Sequence, residues 1–289
     1  MGIVGGEVVM NGPVLVILAA GRARRFGGVK PLAPIGVHGE AVIDLIASDA
    51  YDAGFGHIVV VVNPDTGPLI RDHIANNWPV DKSVAFAIQE RPLGTVHAVL
   101  SALPELDPTL PFGVCNADDL YGRDAMVALG RQLTSDGGNC LVAFRLDQAL
   151  VGDQPVTRGV CQVHDGVLTG IAERRQVTAT ATGYVSDDGL EPTTLTADTL
   201  VSMNLWGFDA SMWDVFSEAM AAAKASEDAE VLLPEIVGEQ IRSKSRSFRA
   251  IPATSRCVGV THADDLPVVQ AEIAAQIARG ERGEFAFRR

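Results

Sequence analysis

The sequence predicts an α/β protein with three layers, a mostly parallel sheet between two layers of helices. Two observations carry this. Short continuous apolar runs recur through the first half, as at residues 14–18 and 57–62, the pattern of strands buried on both faces. Segments with helical spacing separate them, and strand–helix alternation favours a parallel sheet covered on both sides. A third observation bounds the pattern: from about residue 147 the alternation gives way to short β-rich segments.

The first strand is 14–18. Residues 41–53 form a helix, with Val42, Leu45, Ile46 and Ala50 at helical spacing, ended by Gly54 and Gly56. The second strand is 57–62, followed by a helix at 66–77. Residues 84–89 are the third strand, and 94–102 a helix with an open, small-residue start. The fourth strand, 110–116, ends at Ala117-Asp118-Asp119. A helix at 123–134 and a strand at 140–146 complete the first half.

In the second half, 159–164, 167–173 and 199–208 read as strands. Residues 178–198, rich in Thr, Ala, Gly and Asp, read as an exposed, mobile excursion. Helices return at 210–225 and 231–242, with a short strand at 247–251. A last helix, 264–279, carries Leu266, Val269, Ile273 and Ile277 on one face. No internal repeat is present and no clear linker divides the chain. Residues 1–289 therefore read as one domain: a first half at about 14–146, a second at about 147–260, and a C-terminal helix region at about 261–289.

Composition narrows the class. Hydrophobic residues are 47% and charged residues 20% of 289, ordinary for a globular protein with a sizeable core. The net charge of −13 argues against non-specific nucleic-acid binding, which needs a basic footprint. Cys115, Cys140, Cys161 and Cys257 form no CxxC pair and read as reduced, buried thiols. The N-terminal residues show no signal-peptide pattern, and no apolar run reaches the ~18 residues of a membrane span. A cytoplasmic protein without membrane attachment is expected; a homo-oligomer is compatible with the sequence.

Chemistry concentrates after the first strand, in Leu18-Ala19-Ala20-Gly21-Arg22-Ala23-Arg24-Arg25-Phe26-Gly27-Gly28-Val29-Lys30. Small residues leave backbone N–H groups open to a phosphate. Arg22, Arg24, Arg25 and Lys30 place four cations in nine residues, against 23 in the whole chain. A basic cluster at the carboxyl end of a strand reads as an anion site. A second stretch, Gln89-Glu90-Arg91-Pro92-Leu93-Gly94-Thr95, opens a helix on glycine. A third, Asn116-Ala117-Asp118-Asp119, offers hard carboxylate oxygens that suit Mg²⁺.

These segments, with Arg158-Gly159-Val160, Ile171-Ala172-Glu173-Arg174-Arg175 and Val201–Asp209, occur in the order found in sugar-1-phosphate nucleotidyltransferases, which the chain resembles from about residue 14 to 261. The loop resembles the family's L-A-A-G-x-G-x-R with a later K-P, Ala23 replacing its second glycine. The second segment resembles Q-x-x-P-L-G-T, and the third resembles G-D, Ala117 replacing the glycine.

The resemblance implies a Rossmann-like three-layer α/β/α fold with a mostly parallel mixed sheet and a β-rich sugar-binding excursion. It implies that Arg25, Lys30 and Asp118 are catalytic. Nucleotide contacts would come from Leu18, Ala19, Ala20, Gly21, Arg22, Gln89, Pro92, Gly94 and Thr95, with Gln89 and Gly94 reading the base. Sugar-phosphate contacts would come from Asp119, Gly159, Glu173, Arg174 and Asn204, Arg174 standing where the family has lysine. Mg²⁺ would be held by Asp118 and Asp209, although Asp209 also suits an N-cap for the next helix.

The implied reaction joins an NTP, UTP or dTTP foremost, to a sugar 1-phosphate with release of pyrophosphate. Transfer to a cyclitol, polyol or amino-alcohol phosphate, or non-catalytic nucleotide-sugar binding, are the alternatives. A glycosyltransferase of related fold fits less well, because Asp118-Asp119 is not D-x-D.

Overall fold

The computed structural model describes residues 12–21, 27–135, 137–149, 154–180, 183–223, 230–260 and 263–287. Along the first half the elements run β1 (Val14–Leu18), α1 (Val42–Asp52), β2 (His57–Val62), α2 (Gly67–Asn77), β3 (Val84–Ile88), α3 (Gly94–Ser101), β4 (Phe112–Asn116), β5 (Asp119–Leu120), α4 (Arg123–Ser135) and β6 (Cys140–Arg145). The second half adds β7 (Val156–His164), β8 (Val167–Thr180), β9 (Gly183–Val185), β10 (Thr194–Leu195), β11 (Leu200–Phe208), α5 (Met212–Ala223), α6 (Leu233–Arg242), β12 (Arg249–Pro252), β13 (Val258–Gly259) and α7 (Leu266–Ala278).

The main sheet orders its strands β10-β9-β8-β12-β6-β11-β4-β1-β2-β3, with β7 pairing β11 and β8. The β4-β1-β2-β3 block is parallel throughout. β11 lies antiparallel between β4 and β6, and β12 runs parallel to β6. Strand alternation divides β1 between two cores. Leu15 and Ile17 face α1, α2, α4 and α7, whereas Val14 and Val16 face α3, α5 and α6. These are the three layers expected from the sequence. Among the described residues no helix is long and apolar enough to cross a membrane.

Two regions differ from the sequence expectation. The excursion at 178–198 is a paired ribbon: β8 continues to Thr180, β9 folds back on it, and β10 pairs β9. Polar, small residues conceal strands because their backbone bonds need no apolar pattern. Beyond α7, residues 279–287 pack back on α1 and on the residues that precede α1 and follow α2. Arg282 pairs with buried Asp49 at 2.5 Å, Phe285 stacks on His38 at 4.4 Å, and Phe287 lies against Trp78.

The strand order places the site. β1 leads to β2 and β3 on one side, while β4 flanks β1 on the other. This reversal opens a crevice beyond the carboxyl ends of β1 and β4, where open α/β sheets bind ligands.

Candidate active site

Beyond β1 the chain stays in register with its neighbours for two more residues. Ala19 N donates to Val61 O at 2.8 Å, and Ala117 N donates to Leu18 O at 3.2 Å. Asn63 Nδ2 holds Ala20 O at 3.0 Å. Leu18, Ala19, Gly21, Lys30, Pro31, Ala117 and Asp118 then enclose a cavity of about 110 Å³. Gly21 is exposed at its rim, and among the described residues no atom lies within 4 Å of where a Cβ would stand. Lys30 Nζ reaches Asp118 Oδ2 at 3.4 Å. Arg22 and Arg25 lie outside the described residues.

A second cavity, of about 280 Å³, opens on the other side of the aspartate pair. Asp118, Asp119, Arg158, Gly159, Glu173 and Asn204 are among its lining residues. Asp118 is the side chain common to both cavities and is about one-third exposed. Asn116 Nδ2 donates to Asp119 Oδ2 at 2.9 Å. Burial, and then the neighbouring Asp118 charge, push the Asp119 carboxyl above the usual carboxylate range, opposed by Asn116, Arg158 and Lys30. Gly259, paired with Asp119 through β13, leaves room for this side chain, since a Cβ there would collide with Asp119 Oδ1.

Asn204 sits at a break in the β11–β6 register with φ +60°. Its Oδ1 accepts from Trp206 Nε1 at 3.1 Å, which leaves the amide NH₂ as a donor for the cavity it lines. Tyr121 braces this corner from behind: Asn116 N donates to its hydroxyl at 2.9 Å, and the hydroxyl donates to Met203 O at 2.8 Å.

Gln89 follows β3 at the same edge of the sheet and is 7% exposed. Its Nε2 donates to Gly94 O at 3.0 Å and contacts His97 Nδ1 at 3.2 Å, so Oε1 remains the acceptor. Gly94 has φ +89°, and a Cβ there would strike the backbone of Val231. Glycine is thus required by the chain's own packing. Thr95 Oγ1 accepts from Leu233 N at 2.9 Å, tying α3 to α6. Pro92 lies in the exposed turn before α3.

Two expected residues are not at the site. Asp209 belongs to the opposite end of the sheet. β11 runs antiparallel to β4, with Phe208 opposite Phe112, so Asp209 follows the end where β4 begins. There its carboxylate accepts from Ser211 N at 2.8 Å and from Asn139 Nδ2 at 2.7 Å, serving the turn into α5. The metal role expected for Asp209 is therefore withdrawn; its carboxylate braces the turn that precedes α5.

Arg174 is 2% exposed and is committed elsewhere. Nε donates to Asp188 Oδ2 at 2.8 Å, while Nη2 donates to Asp188 Oδ1 at 3.1 Å and to Leu190 O at 2.8 Å. Adjacent strand residues face opposite sides. Glu173 therefore takes the cavity, and Arg174 pins the ribbon. The sugar-phosphate role expected for Arg174 is corrected accordingly.

Sequence reasoning gave no role to Arg158. It lies beside an irregularity in the β7–β8 register between Val156 and Arg158. Such irregularities re-aim side chains and leave no mark in the apolar pattern.

A family model described as MobA-like NTP transferase domain matches residues 15–222. The bifunctional protein GlmU of Paraburkholderia phytofirmans is 36% identical over 104 residues, covering 36% of this chain and 22% of that protein. The chain thus matches about one-fifth of that relative's length. Among solved structures, a UDP-glucose pyrophosphorylase complexed with UDP-glucose superposes with a TM-score of 0.64 at 16% identity, covering 91% of this chain and 99% of the other. An inositol-1-phosphate CTP transferase from T. maritima gives 0.66 at 12% identity, covering 91% and 96%. At these identities the shared feature is the fold.

Proposed function

The chain belongs to the MobA-like NTP transferase family, and from that premise we propose that it joins a nucleoside triphosphate to a sugar 1-phosphate and releases pyrophosphate. The observation that carries this reading is Asp118, shared by two cavities of unequal character. The smaller has small residues and Lys30, suited to a triphosphate. The larger has Glu173 and Asn204 as acceptor and donor for hydroxyls. The two substrates would meet over Asp118, with residues 14–146 serving mainly the nucleotide and 147–260 the acceptor.

The acceptor is already anionic at neutral pH and needs no general base. One of its phosphate oxygens would bond to the α-phosphorus as the bond to the pyrophosphate oxygen breaks. Lys30, with Arg25, would stabilise charge on the leaving triphosphate oxygens; positioning and electrostatics supply most of the acceleration in such transfers. The donor set fits Mg²⁺, which favours one or two carboxylates together with phosphates and water. Asp118 would hold it, and when bound it would neutralise phosphate charge.

The base is read from Gln89. With Nε2 turned to Gly94 O and His97 Nδ1, Oε1 is left to accept from a base N–H, such as the imide N–H of uracil or thymine. UTP or dTTP is the donor we propose, on the resemblance of the Gln89–Thr95 segment to uridylyl and thymidylyl transferases.

The test is pyrophosphate release from purified protein, Mg²⁺, each NTP and a panel of sugar 1-phosphates, with inositol 1-phosphate as the cyclitol comparison. UTP or dTTP with a sugar 1-phosphate should turn over, and Asp118→Asn should lower that rate by roughly 10²–10³ at unchanged melting temperature. No release with any pair refutes the proposal.

A further inference from the structure

We infer that Arg158 is the residue that holds the acceptor's phosphate, the part the sequence assigned to Arg174. The inference rests on the transfer reaction proposed above.

The larger cavity is lined by three carboxylates, Asp118, Asp119 and Glu173. An incoming phosphate would be repelled there without a cation. Among the described lining residues, Arg158 is the cation of this cavity, and Lys30 lines only the smaller one. The two cations are divided, one to each cavity, with Asp118 and Asp119 between them. Arg158 is close enough to Asp119 for its charge to act on that carboxylate.

The guanidinium is also held in place beforehand. Nη1 donates to Thr157 O at 2.9 Å and Nη2 to Ala149 O at 2.9 Å. Nε is buried and, among the described residues, has no hydrogen-bond partner, so the Nη groups are the part of the guanidinium offered to a ligand. The remaining Nη protons lie in the same rigid plane, which suits two-point contact with a phosphate in a way an ammonium does not.

The test compares the wild type with Arg158→Gln and Arg158→Lys. In steady-state pyrophosphate release, with the most active pair from the panel, Arg158→Gln should raise the acceptor KM at least tenfold. The NTP KM should stay within twofold, and Arg158→Lys should recover part of the loss. A merely structural role would move both KM values together or lower the melting temperature of both variants. That result, or an unchanged acceptor KM in Arg158→Gln, overturns the inference. If the wild type itself releases no pyrophosphate, the transfer reading falls, and Arg158 is judged by inorganic phosphate binding followed by thermal shift. Binding at least tenfold weaker in Arg158→Gln upholds a phosphate site; equal binding overturns it.

Discussion

Gly94→Ala asks whether this glycine is held by the chain's own packing. Gly94 has φ +89°, where an L side chain costs about 1–2 kcal/mol. The new Cβ would press on the Val231 carbonyl and lie 2.6 Å from Val231 N. Relief requires movement of the segment that makes two backbone bonds, Val231 N to Leu93 O at 3.0 Å and Val96 N to Val231 O at 3.1 Å. Each contributes about 1 kcal/mol. Together the losses come to about 3–4 kcal/mol, or a melting temperature lowered by roughly 10 °C for a chain of this size. Gly94 O also holds the Gln89 amide at 3.0 Å. Loss of that bond should raise the NTP KM by about 5–10-fold. Differential scanning fluorimetry and NTP titrations measure both. A variant that melts with the wild type and keeps its NTP KM would refute the packing reading of Gly94.

Gly21→Ala should behave in the opposite way: among the described residues no atom lies within 4 Å of its Cβ position, so melting should be unchanged, while the methyl group at the rim of the smaller cavity raises the NTP KM. An unchanged KM would remove Gly21 from the nucleotide site. The Arg174–Asp188 pair should give the ribbon an acid limit. Hydrogen bonds from Arg174 hold the Asp188 carboxyl well below its usual range, so the stabilisation is present above about pH 4 and is lost as pH falls below that. Melting curves from pH 6 to pH 2 should show Asp188→Asn lacking part of the wild type's acid-side loss, with faster proteolysis of residues 183–195 at neutral pH. Parallel curves for the two proteins would count against it.

Much of the fold was legible because buried parallel strands carry continuous apolar runs. Those runs located β1, β2 and β4, and hence the loop after β1 and the aspartates after β4. The basic loop and the aspartate pair could be placed from that alone, since both follow strands that end at one edge; the resemblance singled out Lys30 and Asp118 within them. The ribbon of β9 and β10 was not legible, because its pairing rests on backbone bonds between polar residues. The same holds for the segment at 279–287, whose contacts with α1 and the residues that precede it are far away in sequence.

What the sequence by itself determined was the alternation of elements, the small-residue loop, and the residue types at the carboxyl edge of the sheet. Local apolar pattern and strand–loop order are properties of neighbouring residues. Strand direction, strand face and register are not. An apolar strand reads the same whether it runs parallel or antiparallel, so only the tertiary structure could send Asp209 to the far end of β11. One residue of strand offset exchanges faces, so only the folded pairing of β7 with β8 gave Glu173 to the cavity and Arg174 to Asp188. A local irregularity in that same pairing accompanies Arg158, which lines the cavity together with the aspartates, a neighbourhood that no sequence spacing describes.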